Sequence, residues 1–216
     1  MSTRATARAS GHPRVRAEVL LVLLEALRVR DTPTDITPEE NPHPDLPQRL
    51  GMSDVILDQI RRYRRLAPRG RVDAAEALDL VRLVVRRSDA TATFDLAGRS
   101  LAARAYGRRS ALFRLALRAL PGRVRLRAAF RHVRSRAGAL FGAADFHVVH
   151  APTAGLYAQG WLGARAGSGE ACRFVSAFLE ETILRFTGEI RPIRHELCET
   201  MGDGRCVWSA ITAVDS

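Results

Sequence analysis

The chain has no lysine: all 34 basic residues are arginine. That looks like the codon bias of a GC-rich bacterial genome, so arginine richness by itself assigns no function. No acidic residue lies between Asp95 and Asp145, a stretch that carries twelve arginines from Arg99 to Arg136. With a net charge of +11, this stretch suits nucleic acid, an anionic membrane or an acidic partner, or forms a solvated arginine face on helices. Long hydrophobic runs are missing as well. The run Val19 to Leu24 is short and bounded by Glu18 and Glu25, which excludes both a bilayer span and an export signal. A cytoplasmic location is therefore expected. Nothing in the chain makes a Gly-rich phosphate loop, a dinucleotide fingerprint or a nucleophile elbow. Gly167-Ser168-Gly169 is too short for any of these and reads as a flexible connection.

Cysteine is also scarce, at Cys172, Cys198 and Cys206 alone. In a reducing compartment such thiols favour a metal over a disulfide, and a Cys198–Cys206 bridge becomes the better idea only in an oxidising one.

An apolar content of 46% and a length of 216 residues fit one soluble domain with an appendage. Residues 1–12 are small, polar and basic and read as disordered. Arg14 to Arg30 reads as a short helix, and residues 31–49, with five prolines among acidic residues, read as a linker. We therefore divide the chain into an N-terminal segment, 1–51, and a main domain, 52–216, with Met52 as an alternative start. In the main domain, helices are expected over Ser53–Leu66, Asp73–Arg87, Phe94–Leu120 with a break near Gly107, and Arg123–Leu140. Val55, Ile56 and Ile60 mark one side of the first. Two strands follow, Asp145–His150 and Leu156–Trp161, then a loop at Gly163–Gly169 and a helix at Glu170–Phe186. Glu189–Cys198 and Arg205–Val214 read as paired strands. The order gives an α+β fold: N-terminal helices packed on a small antiparallel sheet, with a C-terminal helix and a β-hairpin.

That helix and hairpin carry all three cysteines. Zinc prefers thiolate and imidazole in a tetrahedron, and four protein ligands make a closed site. Cys172 falls in the first turn of its helix, where the dipole is expected to lower its pKa. Cys198 and Cys206 face each other only across a loop of odd length, so a loop of about Thr200 to Gly204 is expected rather than a two-residue turn. Two candidates compete for the fourth position. Strand alternation puts Glu196 on the face of Cys198; ligand softness favours His195. A β-bulge beside the site would decide for His195; without one, Glu196 keeps the place.

These residues carry a resemblance. The run Cys172-Arg-Phe-Val-Ser-Ala-Phe-Leu-Glu-Glu, then Gly188, His195-Glu196-Leu-Cys198, Gly202-Asp203-Gly204 and Cys206-Val-Trp, resembles the 4-vinyl reductase-like domain family. This small-molecule-binding domain also occurs in phenol-sensing bacterial activators. The likeness is specific over about 170–210, order-consistent over 52–165, and does not reach the first fifty residues. It implies a structural zinc held by the three cysteines and one further ligand. The family's acidic ligand stands three residues before the second cysteine, where this chain has His195, with Glu196 one residue late. The resemblance further implies a fold similar to the small subunits of the TRAPP tethering complex and a homodimer formed through the N-terminal helices.

It also implies an apolar pocket between helices and sheet for a hydrophobic or aromatic molecule. Candidate wall residues are Tyr106, Phe113, Leu117, Phe130, Trp161, Phe174 and Phe178, and His132, His147 and His150 are candidate polar anchors. The same apolar stripes serve ordinary packing. The expected function is a ligand-binding or sensory domain with structural zinc, acting through a protein partner. An arginine-rich module for nucleic acid or an acidic partner is the alternative, and an accessory protein of tetrapyrrole or aromatic metabolism is the third. A four-ligand zinc leaves no position for a water nucleophile, so catalysis is not expected.

Overall fold

A computed structural model describes residues 14–32, 54–67, 69–142, 145–149 and 155–210. The expectations for residues 1–12, the Pro-rich segment, Met52 and His150 lie outside the described residues.

The chain enters as strand β1 (Arg14–Arg16), not as a helix. It pairs antiparallel with β2 (Arg71–Asp73), with Val15 opposite Val72. Alternation buries the two valines and leaves Arg14, Arg71 and Asp73 exposed, with Arg16 half-buried. Helix α1 (Ala17–Asp31) follows. Every residue from Ala17 to Leu24 is buried, Glu18 included, so the run Val19 to Leu24 is apolar on all sides because it passes through the interior. It packs on α2 (Asp54–Leu66) and on α4 (Ala90–Gly107). Residues 14–32 thus share one core with residues 54–210, where the sequence places a boundary at 51/52.

On α2 the inward positions are Ile60 and Tyr63; Ile56 is half-buried and Val55 is exposed. Helix α3 (Ala74–Val85) starts where the Asp73 carboxylate accepts from the Ala75 N–H at 2.8 Å. The expected break at Gly107 is present. Helix α4 ends there, and Ser110 caps α5 (Ala111–Arg118) by accepting from the Phe113 N–H at 3.1 Å. Helix α6 (Gly122–Phe141) opens after Pro121. Strands β3 (Asp145–Val149) and β4 (Gly155–Gln159) follow. The expected loop at Gly163–Gly169 instead contains helix α7 (Leu162–Arg165) and a 3-10 turn, Gly169–Ala171. A Cβ on Gly163 would run into the Trp161 indole, so glycine lets that ring fold back over the turn. Then come α8 (Cys172–Thr187), β5 (Ile193–Leu197) and β6 (Cys206–Ala210).

The second sheet has the order β3-β4-β6-β5, antiparallel throughout. Helix α6 lies against β3 and α8 against β5. The architecture is α+β, as expected. The pair α4–α8 forms its centre. A Cβ on Gly98 would sit 3.0 Å from the Ala177 Cβ and 3.0 Å from the Phe178 nitrogen, so these helices approach to backbone contact. Ion pairs lock their rim. Arg99 donates to Asp95 at 2.8 Å and to Glu180 at 2.9 Å; Arg173 donates to Asp95 at 2.7 Å and to Glu180 at 3.0 Å. Burial raises the Asp95 pKa, but the hydrogen bonds from Arg99 and Arg173 outweigh it and hold the carboxyl below its ordinary range.

Candidate metal centre

Three elements bring the thiols together. Cys172 opens α8 from beneath the sheet, Cys198 follows β5, and Cys206 begins β6. Continuing the Leu197–Val207 pairing places Cys198 opposite Cys206. The loop between them is the wide one expected. It holds a 3-10 turn, Glu199–Met201, and then Gly202 at φ +101°, a conformation that favours glycine.

The Cys172 sulfur lies 3.9 Å from that of Cys198 and 3.8 Å from that of Cys206. With the nearer ring nitrogen of His195, all four donor atoms fall within 4.8 Å of one another. A tetrahedral ion with metal–sulfur distances of about 2.3 Å requires sulfur–sulfur edges of about 3.8 Å. The observed edges meet that requirement, and the spacing is far beyond a disulfide bond of about 2.05 Å. All three cysteines are free and buried.

The fourth residue of the cluster is His195. The β5–β6 register shifts between His195 and Leu197, and this bulge turns His195 inward. Glu196 does not join the cluster: its carboxylate accepts from the Ser209 hydroxyl. Its place as a candidate ligand is corrected for that reason. The bulge adds one residue to β5, which reverses the alternation that favoured Glu196. The His195 ring stacks on Trp208 at 5.0 Å, with 21° between the planes. Its Nε2 is buried without a hydrogen-bond partner. A buried imidazole nitrogen is normally satisfied, and the ring that carries this orphan atom offers one nitrogen to the three thiols.

The surrounding shell holds the loop rather than the metal. Asp203 accepts from the Cys198 N–H at 2.8 Å, and the Thr200 hydroxyl lies 2.9 Å from the Cys198 sulfur. The Glu199 N–H donates to the Cys206 sulfur at 3.3 Å. Its carboxylate reaches back to the Gly160 N–H at 2.9 Å and ties the loop to the end of β4. Trp208 and Thr200 are supporting residues that spacing alone does not reveal.

The thiols share protons before any metal binds. A hydrogen bond from Cys172 brings the Cys206 thiol down to about 4. Burial opposes this, and His195, the Glu199 N–H and Trp161 add to it. The same hydrogen bond, with burial, pushes Cys172 upward. The dipole-lowered pKa expected for Cys172 is thus overturned, because in this state it is the donor to a neighbouring thiolate. A metal ion bound here would replace that proton.

The candidate ligand wall divides in two. Trp161, Phe174 and Phe178 surround Phe141, with ring centroids 6.3, 5.7 and 5.4 Å away. Tyr106, Phe113 and His132 surround Phe186 at 5.3, 6.2 and 5.2 Å. Phe130 and Leu117 are buried in the core. The space between Leu23, Phe94, Phe141, Trp161 and Phe174 is about 10 Å³. That is about the size of one water and far below the several hundred Å³ of a small-molecule site. Between Trp161 and Phe174 the expected pocket is therefore closed, whereas about 510 Å³ opens beside Tyr106, Leu112 and Leu115. His147 is exposed and stacks on Tyr157 at 4.7 Å, away from both groups.

Among the described residues no helix is long and apolar enough to cross a membrane. Comparison of the chain with protein-family models, with curated proteins and with solved structures gives no match.

Proposed function

We propose that this chain is a non-catalytic ligand-binding or sensory domain of the 4-vinyl reductase-like kind, stapled by a structural zinc. The observation that carries this reading is the buried cup of Cys172, His195, Cys198 and Cys206. Three thiolates and one imidazole suit zinc by softness and by tetrahedral geometry. Four protein donors leave no open position for substrate or water, which favours a structural ion over a catalytic one. The ion would tie the start of α8 to both strands of the terminal hairpin.

The ligand is proposed to be a hydrophobic or aromatic molecule for which the space of about 10 Å³ beside Trp161 would have to open. This ring faces Phe141 on one side and stands 6.0 Å from Trp208 on the other. Trp208 in turn stacks on His195. A ligand that moved Trp161 would therefore press on the ring that supports a metal donor, which gives a sensory domain a route to an output partner, with a second copy of the chain among the candidates. Native mass spectrometry of protein purified without added metal or chelator tests both parts. One zinc per chain with an apolar adduct supports the reading. Zinc without any adduct, and no quenching of tryptophan fluorescence by naphthalene-type probes, removes the ligand half.

One observation favours an arginine-rich interaction module as a second reading. Arg123, Arg127, Arg131 and Arg134 are exposed at one helical spacing along α6, and none has an ion pair among the described residues. Such a stripe suits a polyanion, and its binding would weaken steeply with salt. A salt-insensitive interaction, or none, would leave the first reading alone.

A further inference from the structure

Most arginines packed between helices here have carboxylate partners. Arg99 and Arg173 share Asp95 and Glu180, Arg87 pairs with Asp31 and Asp89, and Arg104 pairs with Glu25. One group departs from this pattern. Arg108 and Arg109, just past the end of α4, lie close enough to Arg136 of α6 for their charges to act on it, as does Arg16 of β1, and Arg108 pairs with Glu18. Glu18 is only 2% exposed and is taken by Arg108, with one contact at 3.0 Å and a shorter one.

Arg109 and Arg136 have no carboxylate among the described residues. The Arg109 Nη2 donates to His132 Nδ1 at 2.5 Å, and its plane lies 5.2 Å over the Phe113 ring. Its Nε is buried with no partner. Arg136 is half-buried. Burial lowers its pKa, and the charges pressing on it, Arg109, Arg16 and Arg108, lower it further. Burial and the same guanidiniums, Arg136 and Arg109, bring His132 down to about 3. It is therefore neutral at ordinary pH and acts as an acceptor that orients the Arg109 fork. Leaving two guanidiniums half-desolvated and uncompensated is costly.

We propose that Arg109 and Arg136, oriented through His132, form a binding site for a phosphoryl dianion, either inorganic phosphate or the terminal group of a small phosphomonoester. Two uncompensated charges call for two negative charges, and the forked guanidinium donors match the oxygens of a phosphoryl group. A phosphodiester of a nucleic-acid backbone carries one charge and is flanked by sugars on both sides, so it suits the exposed stripe of α6 better than these half-buried guanidiniums. The site does not depend on the zinc or on the apolar ligand.

Thermal melting and calorimetric titration of the metal-loaded full chain with inorganic phosphate, at constant ionic strength set by chloride, test this site. Phosphate should bind once per chain and raise the melting temperature saturably. Arg136→Gln should raise the melting temperature in chloride alone, because it removes an uncompensated charge, and should abolish the response to phosphate. Arg109→Gln should weaken phosphate binding at least about tenfold. Arg131→Gln, an exposed change on the same helix, should leave it intact. Metal content measured alongside separates phosphate binding from metal stripping. The proposal fails if chloride gives the same rise, if Arg136→Gln still responds, or if Arg136→Gln lowers stability in chloride, which would make that charge structural. Stronger competition by single-stranded DNA at equal phosphate concentration would reassign the cluster to nucleic acid and also overturn it.

Discussion

His195 and Trp208 face each other across β5 and β6 as strand partners, and their rings stack at 5.0 Å. Both the bulge at Glu196 and the buried indole are needed for that pairing. The bulge turns the imidazole toward the thiols, and Trp208, fully buried, fixes the plane of the ring. Replacing Trp208 with alanine should cost about 3–5 kcal/mol and weaken metal retention, as loss of an orienting neighbour commonly does by about 10–100-fold. Urea unfolding and metal competition with a chelator would measure the two effects.

The donor set makes a sharper statement. Cys198→Ser and Cys206→Ser should each lose the metal and loosen the hairpin. His195→Ala should weaken binding strongly, whereas Glu196→Ala should retain a full complement, since Glu196 serves Ser209. Metal analysis of the four purified variants checks this. Equal losses for Glu196→Ala and His195→Ala would move the bulge and return the acid to the site.

Acid should weaken the domain through the α4–α8 ion network. The Asp95 pKa is lower in the folded chain than in the unfolded one. Its contribution is therefore present above the unfolded value of about 3.9 and is lost as pH falls through the depressed folded value. Asp95→Asn should lower stability near neutral pH by about 1–3 kcal/mol and flatten the acid limb of the stability profile. Denaturant midpoints for both proteins between pH 6 and about 2.5 test the sign. An unchanged acid limb in Asp95→Asn would contradict it.

Close approach at Gly98 predicts intolerance of any larger residue. A Cβ there meets Ala177 and the backbone of Phe178, so Gly98→Val should destabilise by at least about 1–3 kcal/mol. Gly107, whose Cβ would meet nothing within 4 Å, should accept alanine at little cost. Thermal melts of the two variants give the comparison.

Removal of residues 1–51 should abolish folding. The truncated chain loses β1, the partner of β2, and α1, which is buried from Ala17 to Leu24. Circular dichroism of a chain beginning at Met52 should show an unfolded or molten product, and a cooperative melt would contradict the shared core.

Much of this fold is legible in the sequence, because capping residues and breakers mark it plainly. Asp73, Gly107, Ser110 and Pro121 stand at element ends, and the α+β order follows from them. The cysteines likewise announce their own cluster. Three features stay hidden for physical reasons. Helix α1 is apolar on all sides from Val19 to Leu24, so its period does not show which face is buried, and its place in the core depends on β1 pairing across more than fifty residues of chain. The bulge at Glu196 inverts a strand's alternation without any glycine or proline to signal it. Phe141 and Phe186, around which the two aromatic groups close, differ in no way by sequence from the other phenylalanines. Hence the proposed single pocket separates into two packed clusters.

The most direct test of the central claim is X-ray absorption at the zinc edge on protein purified without added metal. The account predicts one zinc per chain with three sulfurs at about 2.3 Å and one nitrogen at about 2.0–2.1 Å. A chain without zinc, or a zinc with oxygen in place of one sulfur or of the nitrogen, would contradict it.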